Sequence, residues 1–211
     1  MSDLHEIWDA LEAGNAPKVK TLVETALNSG IDPQTVLNEG LIPAMGRVGE
    51  KFKKNEIYVP EVLIAARAMY AGLDVLRPLL AKGGIKRTGK IVIGTVKGDL
   101  HDIGKNLVKM MFEGAGFEVI DLGTDVSESK FVEAVRTEKP DLLGMSALLT
   151  TTMLSMKSTI EALKQANLRD SVKVIIGGAP VTEKYAQDIG ADGYAPDASS
   201  AVDVGKQLIS A

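Results

Sequence analysis

The sequence predicts an α plus α/β protein: an N-terminal four-helix bundle cap over residues 1–82, a linker at 83–90, and a doubly wound five-stranded parallel sheet over 91–211. Three observations predict it. The first part repeats apolar side chains at helical spacing, with polar caps and prolines where helices begin. The second part alternates short continuous apolar runs with amphipathic segments, the pattern of a parallel sheet covered on both faces. Between them "AKGGIKRTGK", residues 81–90, lacks periodicity and mixes glycines with basic residues, so it is expected to act as a hinge.

Leu4, Ile7, Trp8 and Leu11 outline a first, weaker helix. Asn15 and Pro17 open a second, with Val19, Leu22, Val23 and Ala26 on one face. Asp32 followed by Pro33 repeats that start signal for a third, whose Leu37, Leu41, Met45, Val48 and Phe52 are spaced four, four, three and four, with Gly40 and Gly46 interrupting. The fourth, "YVPEVLIAARAMYAGLDVLRPLL", has Pro60 and Glu61 in its first turn and Val62, Ala65, Met69, Leu73 and Leu76 along one stripe. Four such helices pack most simply as a bundle.

The strands read as "KIVIGTV", "FEVIDLG", "DLLGMSAL", "VKVIIGG" and a short "DGYA". The intervening helices read as "NLVKMMFEGAG", "SESKFVEAVRTEK", "TMLSMKSTIEALKQAN" and "TEKYAQDIG", and one more helix closes the chain. Five strands in this alternation fit the flavodoxin-like, Rossmann-type arrangement.

Composition removes several function classes. The 211 residues are 45% hydrophobic and 25% charged, ordinary for a globular protein, and no apolar run reaches the ~20 residues that span a bilayer. The acidic, amphipathic N-terminus is unlike a secretory signal, so the cytoplasm is the expected location. With no cysteine, any metal must be held by histidine, carboxylate or a cofactor. A net charge of −4 with scattered Lys and Arg argues against nucleic acid as a partner.

Ligands of doubly wound sheets bind beyond the carboxyl ends of the strands. Gly98, Asp99, His101, Asp102, Ile103 and Gly104 follow the first strand. Ser146, Leu148, Thr150, Thr151 and Thr152 follow the third, and Gly177, Gly178, Ala179 and Pro180 the fourth. The rim lacks the G-x-G-x-x-G turn of a dinucleotide site and a P-loop. Nor does an aspartate close the third strand, as a phosphoacceptor domain would need. Each feature also has a plain reading: His101 and Asp99 as loop or capping residues, the glycine pair as a tight turn, the threonine run as an extension of the strand. A bare metal ion on His101, Asp99 and Asp102 also stays open.

Taken together, Asp99-x-His101-x-x-Gly104, then 41 residues, Ser146-x-Leu148, then 28 residues, Gly177-Gly178, resembles the cobalamin-binding signature of methionine synthase and its relatives. The helical half, with "YVPEVLIAARAM", is similar to the cap preceding that domain, and to the stand-alone corrinoid proteins of anaerobic methyltransferase systems. The resemblance implies a cobalamin or related corrinoid with His101 as lower axial metal ligand in place of the cofactor's own base. Asp99 and Thr152 would complete a proton relay, with threonine where the family has serine. The displaced nucleotide tail would run past Gly98, Asp102, Ile103, Gly104, Ser146, Leu148, Thr150, Gly177, Gly178 and Ala179, with the glycines vacating volume for it. The cap would shield the methyl group, with Val62 and Ala66 as candidate contacts.

The implied function is a methyl carrier cycling between cob(I)alamin and methylcobalamin, non-catalytic alone, with cob(II)alamin as its inactive form. The implied partners are a substrate:corrinoid methyltransferase, a methylcorrinoid:tetrahydrofolate or thiol methyltransferase, and a reductive activase. The donor could be methanol, a methylamine, betaine or an aryl methyl ether, as in an O-demethylase. Two alternatives share the sheet signature: the cobalamin subunit of an adenosylcobalamin mutase and a cobalamin-dependent light-responsive regulator.

Overall fold

A computed structural model describes residues 4–83 and 87–210. The chain divides into two compact units, Met1–Arg87 with Gly114–Gly116, and Thr88–Glu113 with Phe117–Ala211.

The helical unit begins with α1 (His5–Glu12), whose Ile7 and Leu11 are buried. Asn15 caps α2 (Ala16–Asn28), accepting from the Lys18 N–H at 3.1 Å, with Pro17 in the first turn. Asp32 likewise caps α3 (Pro33–Thr35), accepting from the Gln34 and Thr35 N–H groups. Here the structure departs from one regular third helix. α3 continues into a π-helical turn, Val36–Leu41, and then into α4 (Ile42–Lys53). The reason lies in the spacing. Leu37, Leu41 and Met45, four apart, would drift around an α-helix of 3.6 residues per turn, whereas the wider π turn keeps all three buried. Trp8 Nε1 donates to the Glu39 carbonyl at 2.9 Å and ties α1 to that turn.

The last helix of this unit, α5 (Val59–Gly83), opens where the Glu61 carboxylate accepts the Tyr58 N–H and carries Pro78 internally. At Gly72 a Cβ would lie 2.8 Å from the tip of the Leu41 side chain, which would have to shift to admit a larger residue. Val62 and Ala66 are buried, and the exposed large hydrophobic side chains around them, at residues 58–69, are Tyr58, Leu63 and Ile64. The middle of the expected hinge, residues 84–86, lies outside the described residues.

The second unit is a five-stranded sheet: β1 (Lys90–Thr95), β2 (Glu118–Asp121), β3 (Leu142–Ser146), β4 (Lys173–Gly177) and β5 (Gly193–Ala195). The order is 2-1-3-4-5 and every pairing is parallel. Helices α6 (Ile103–Gly114), α7 (Glu128–Glu138), α8 (Leu154–Gln165), α9 (Glu183–Ile189) and α10 (Ala198–Ser210) alternate with the strands. On one face Val92, Leu143, Met145, Val174 and Ile176 pack with Phe131, Met156, Ile160 and Ile189 of α7, α8 and α9. On the other, a Cβ at Gly205 of α10 would lie 2.9 Å from Phe112 of α6 and 3.0 Å from Leu142. Register brings Thr95, Ser146, Gly177 and Ala195 side by side at the carboxyl ends. The strand order reverses between β1 and β3, so the loops after these two strands flank the crevice where such sheets bind ligands. No described helix is long and apolar enough to cross a membrane.

Candidate functional site

Past Thr95 the chain stays in the sheet for one residue, Val96, which bridges to Val126. Gly98 then turns it with φ +82°, a backbone state that L side chains rarely adopt, and the Asp99 N–H closes the turn on the Val96 carbonyl at 3.1 Å. The turn puts Asp99 wholly inside the protein. Its Oδ1 accepts from the His101 N–H at 3.0 Å and from the imidazole Nδ1 at 2.7 Å. Its Oδ2 accepts from the Leu148 N–H and from the Thr152 hydroxyl, both at 2.7 Å. Burial by itself pushes this carboxyl up. The bonds from Leu148, Thr152 and both His101 groups outweigh it and hold Asp99 well below the usual carboxylate range.

An ionised carboxylate only accepts, so the shared hydrogen sits on His101 Nδ1, which in the neutral imidazole leaves the lone pair on Nε2. The imidazole is 53% exposed while its partner is fully covered. Thr152 has a single proton for two acceptors, Asp99 Oδ2 and the Leu149 carbonyl at 2.9 Å, and the charged acceptor forms the stronger bond. Threonine in place of serine thus still delivers its hydroxyl to Asp99. The threonine run does not extend β3: Thr150 and Thr151 are exposed in the turn that leads into α8, and Thr152 is buried in it.

Asp102 and Ile103 are exposed at the start of α6, where the Asp102 carbonyl and carboxylate both accept from Asn106. A Cβ built on Gly104 meets nothing within 4 Å, so this glycine does face open space. The other two glycines behave differently from the vacated volume expected of them. At Gly177 a Cβ would lie 2.9 Å from the Ala195 carbonyl oxygen. At Gly178, with φ +128°, it would lie 1.9 Å from that of Ala147. The room beside them is taken by the chain's own backbone. Ser146 is half-buried at the end of β3, and Ala179 is exposed beyond Gly178.

Several residues here escaped the sequence reading. Thr95, fully buried, donates its hydroxyl to the His101 carbonyl at 2.9 Å, yet in the sequence it is one more β-forming residue. Lys105, 4% exposed, reaches both Asp121 carboxylate oxygens at 2.7 Å and fixes the start of α6 to the end of β2. Leu100, Leu149 and Leu154 join Ile103 and Leu148 as large apolar side chains exposed on the loops that Asp99 links and at the starts of the helices that follow them. The available signal was leucine in segments that otherwise read as polar loop.

The donor set on this rim is one imidazole nitrogen backed by a carboxylate. Among the described residues no three His, Cys, Asp or Glu side chains converge on a metal position. Such a site suits a metal that brings its other ligands with it, and the apolar rim and the open space at Gly104 suit a large, partly apolar carrier of that metal.

Comparison with known proteins points to the same class of cofactor. Residues 89–203 match the family model described as the B12 binding domain, and residues 3–77 match a second model of the same description. A corrinoid protein of Desulfitobacterium hafniense (strain Y51) is 43% identical over 99% of this chain and 98% of its own. The dimethylamine corrinoid protein of Methanosarcina barkeri is 43% identical over 98% of this chain and 97% of its own. Among solved structures, a chain of the methanol:cobalamin methyltransferase complex MtaBC from Methanosarcina barkeri superposes with a TM-score of 0.87 at 29% identity, covering 98% of this chain and 79% of that one. The chain therefore belongs to the B12-binding family, as a corrinoid protein with a cobalamin-type cofactor.

Proposed function

We propose that this chain is the methyl carrier of a multi-component methyltransferase, without turnover of its own, and that His101 is the lower axial ligand of the corrinoid cobalt. The observation that carries the reading is the imidazole: Nδ1 tied to a buried, ionised Asp99, and Nε2 left as a lone-pair donor on an apolar rim. When bound, the cofactor supplies the chemistry, a low-valent cobalt that takes a methyl group from one partner and yields it to another.

The remaining work belongs to the protein. His101 holds the cofactor through Nε2, and Leu100, Ile103, Leu148 and Leu149 offer it apolar surface. The nucleotide tail is assigned to Gly104, Ser146 and Thr150 and to the backbone at Gly177, Gly178 and Ala179. Asp99 fixes the ligating tautomer and the orientation of the ring. Asp99, with Oδ1 2.7 Å from Nδ1, would stabilise a proton delivered to Nε2 by an acid in solution whenever that nitrogen were not bound to the metal. Thr152 and the Leu148 N–H hold the other carboxylate oxygen, so the relay of His101, Asp99 and Thr152 would keep one orientation in either state.

Three partners follow from the reading: a substrate-specific methyltransferase that loads the carrier, a second acting on tetrahydrofolate or a thiol, and a reductive activase. A relative named for dimethylamine and a complex named for methanol both match this chain over almost its whole length. This supports selection of the donor by the loading partner rather than by the carrier.

The test is the EPR spectrum of the protein reconstituted with cob(II)alamin at natural isotopic abundance, with and without ¹⁵N-histidine. Superhyperfine triplets that become doublets on labelling, and fail to do so in His101→Ala, are expected. Lines that stay triplets in the labelled wild type would mean that the cofactor keeps its own base and that the ligand assignment is wrong.

A further inference from the structure

The loop that carries His101 is held from outside the motif by a residue of a different connection. Asp125 lies between β2 and α7 in the left-handed backbone region, φ +52°, which costs free energy for a residue with a side chain. That conformation lets it make two bonds at once. Its Oδ1 accepts the Gly98 N–H at 2.7 Å, and its own N–H donates to the Asp99 carbonyl at 3.0 Å. The next residue, Val126, is buried and bridged to Val96, with its N–H on the Thr95 carbonyl at 3.0 Å. The strained residue is thus anchored on one side to the sheet and on the other to the two residues that precede Leu100 and His101.

We infer that Asp125 is a positioning residue for the lower axial ligand: its carboxylate holds the Gly98 turn, and through it the Asp99–His101 pair, in the ligating geometry before cofactor arrives. This rests on the reading of His101 as ligand. Gly98 has φ +82° and no side chain to restrict it, so the geometry of its turn depends on the hydrogen bonds that hold it. Asp99 is pinned by Leu148 and Thr152 at Oδ2, while its backbone is held by the turn and by Asp125. Losing the Asp125 carboxylate frees the turn without touching any group that would contact the metal.

Three variants separate the carboxylate from backbone strain. Asp125→Asn keeps an acceptor and tolerates the left-handed backbone, Asp125→Gly relieves the strain but removes the acceptor, and Asp125→Ala removes the acceptor and keeps the strain. Two readouts are needed. In apoprotein, hydrogen exchange of the Gly98 amide followed by NMR should quicken about tenfold or more in the Gly and Ala variants and stay within about threefold of wild type in Asn. In protein loaded with cob(II)alamin and labelled with ¹⁵N-histidine, the share of the EPR signal in nitrogen-15 doublets should fall by about half or more in Gly and Ala and be restored in Asn. Asp125→Gly with wild-type Gly98 protection and wild-type doublets would overturn the proposal. So would a lowered urea midpoint in Asp125→Ala with ligation intact, which is what a purely structural role predicts. Absence of doublets in the wild type itself would remove the ligand reading, and with it the coordination role, while the apoprotein exchange still judges the tether.

Discussion

Asp99 and Thr152 stand 53 residues apart in the chain and are joined by a 2.7 Å hydrogen bond that is buried at both ends. The bond links the loops after β1 and β3 across the point where strand order reverses. Thr152→Val keeps the shape and removes the hydroxyl, leaving Asp99 Oδ2 with Leu148 alone. The apoprotein should lose about 1–2 kcal/mol in urea denaturation, and Thr152→Ser should stay within about 0.5 kcal/mol. If valine is tolerated as well as serine, the hydroxyl is not what the site requires there.

Asp99 also sets an acid limit. Its carboxyl is held below its ordinary value of 3.8 in the folded protein, so unfolding takes up a proton once the solution is acidic enough to protonate the unfolded chain. The contribution is fully present above about pH 3.8 and is lost as pH falls toward the folded-state value. Asp99→Asn at pH 7 turns an amide N–H₂ toward donors that need an acceptor and should cost about 2 kcal/mol or more. The gap between wild type and this variant should narrow at pH 3. Asp121, also held low, is present in both proteins, so its share cancels.

What could be read in the sequence was what local pattern encodes. Asn15 and Asp32 announced their helices because a cap is a contact between near neighbours. The strands showed as apolar runs, although the ladder of β2 covers only Glu118–Asp121 of a longer run, because β-propensity does not say where a partner strand ends. Asp99 and His101 were legible through two residues of separation and a motif. Asp125, Thr95 and Lys105 were not, because their roles are made by register. "GTDVS" reads as any polar turn until β1 and β2 are laid side by side, and only then does Asp125 reach Gly98. The π turn at Val36–Leu41 lies between these cases, since its leucine spacing is visible in the sequence but fits an α-helical stripe as well.

Lys105 and Asp121 test how firmly the start of α6 is held. Burial pushes the Asp121 carboxyl up, while the Lys105 bond, the Gly123 N–H and the charges of Lys105 and Lys109 bring it below its ordinary value. Lys105→Met removes the cation and leaves Lys109 at 3.6 Å as the remaining one. Breaking a fully buried pair costs about 3–5 kcal/mol. With Asp121 19% exposed and Lys109 present, a loss of about 2 kcal/mol is expected in urea denaturation. Adding Asp121→Asn to Lys105→Met should recover part of it, because the uncompensated charge goes with it. A double variant worse than the single one would contradict this.

Gly104 and Gly178 look alike in the sequence and should respond oppositely to alanine. At Gly178 the added methyl would collide with the Ala147 carbonyl at 1.9 Å, from a backbone at φ +128° that alanine avoids. Relief requires the loop after β3 to move, and that loop carries the Leu148 N–H that holds Asp99. Gly178→Ala should therefore lower the stability of the apoprotein by about 2 kcal/mol or more. At Gly104, in the first turn of α6, the methyl meets nothing within 4 Å, and replacing glycine by alanine in a helix is worth up to about 1 kcal/mol. Gly104→Ala should leave the apoprotein as stable as wild type or slightly more so. If the open space beside it is where the cofactor's tail enters, the same substitution should weaken corrinoid binding by about tenfold, through crowding of a group the apoprotein lacks. A Gly104→Ala protein that is stable and binds corrinoid as wild type does would place the tail elsewhere on the rim, with Ser146 and Thr150 the next positions to substitute.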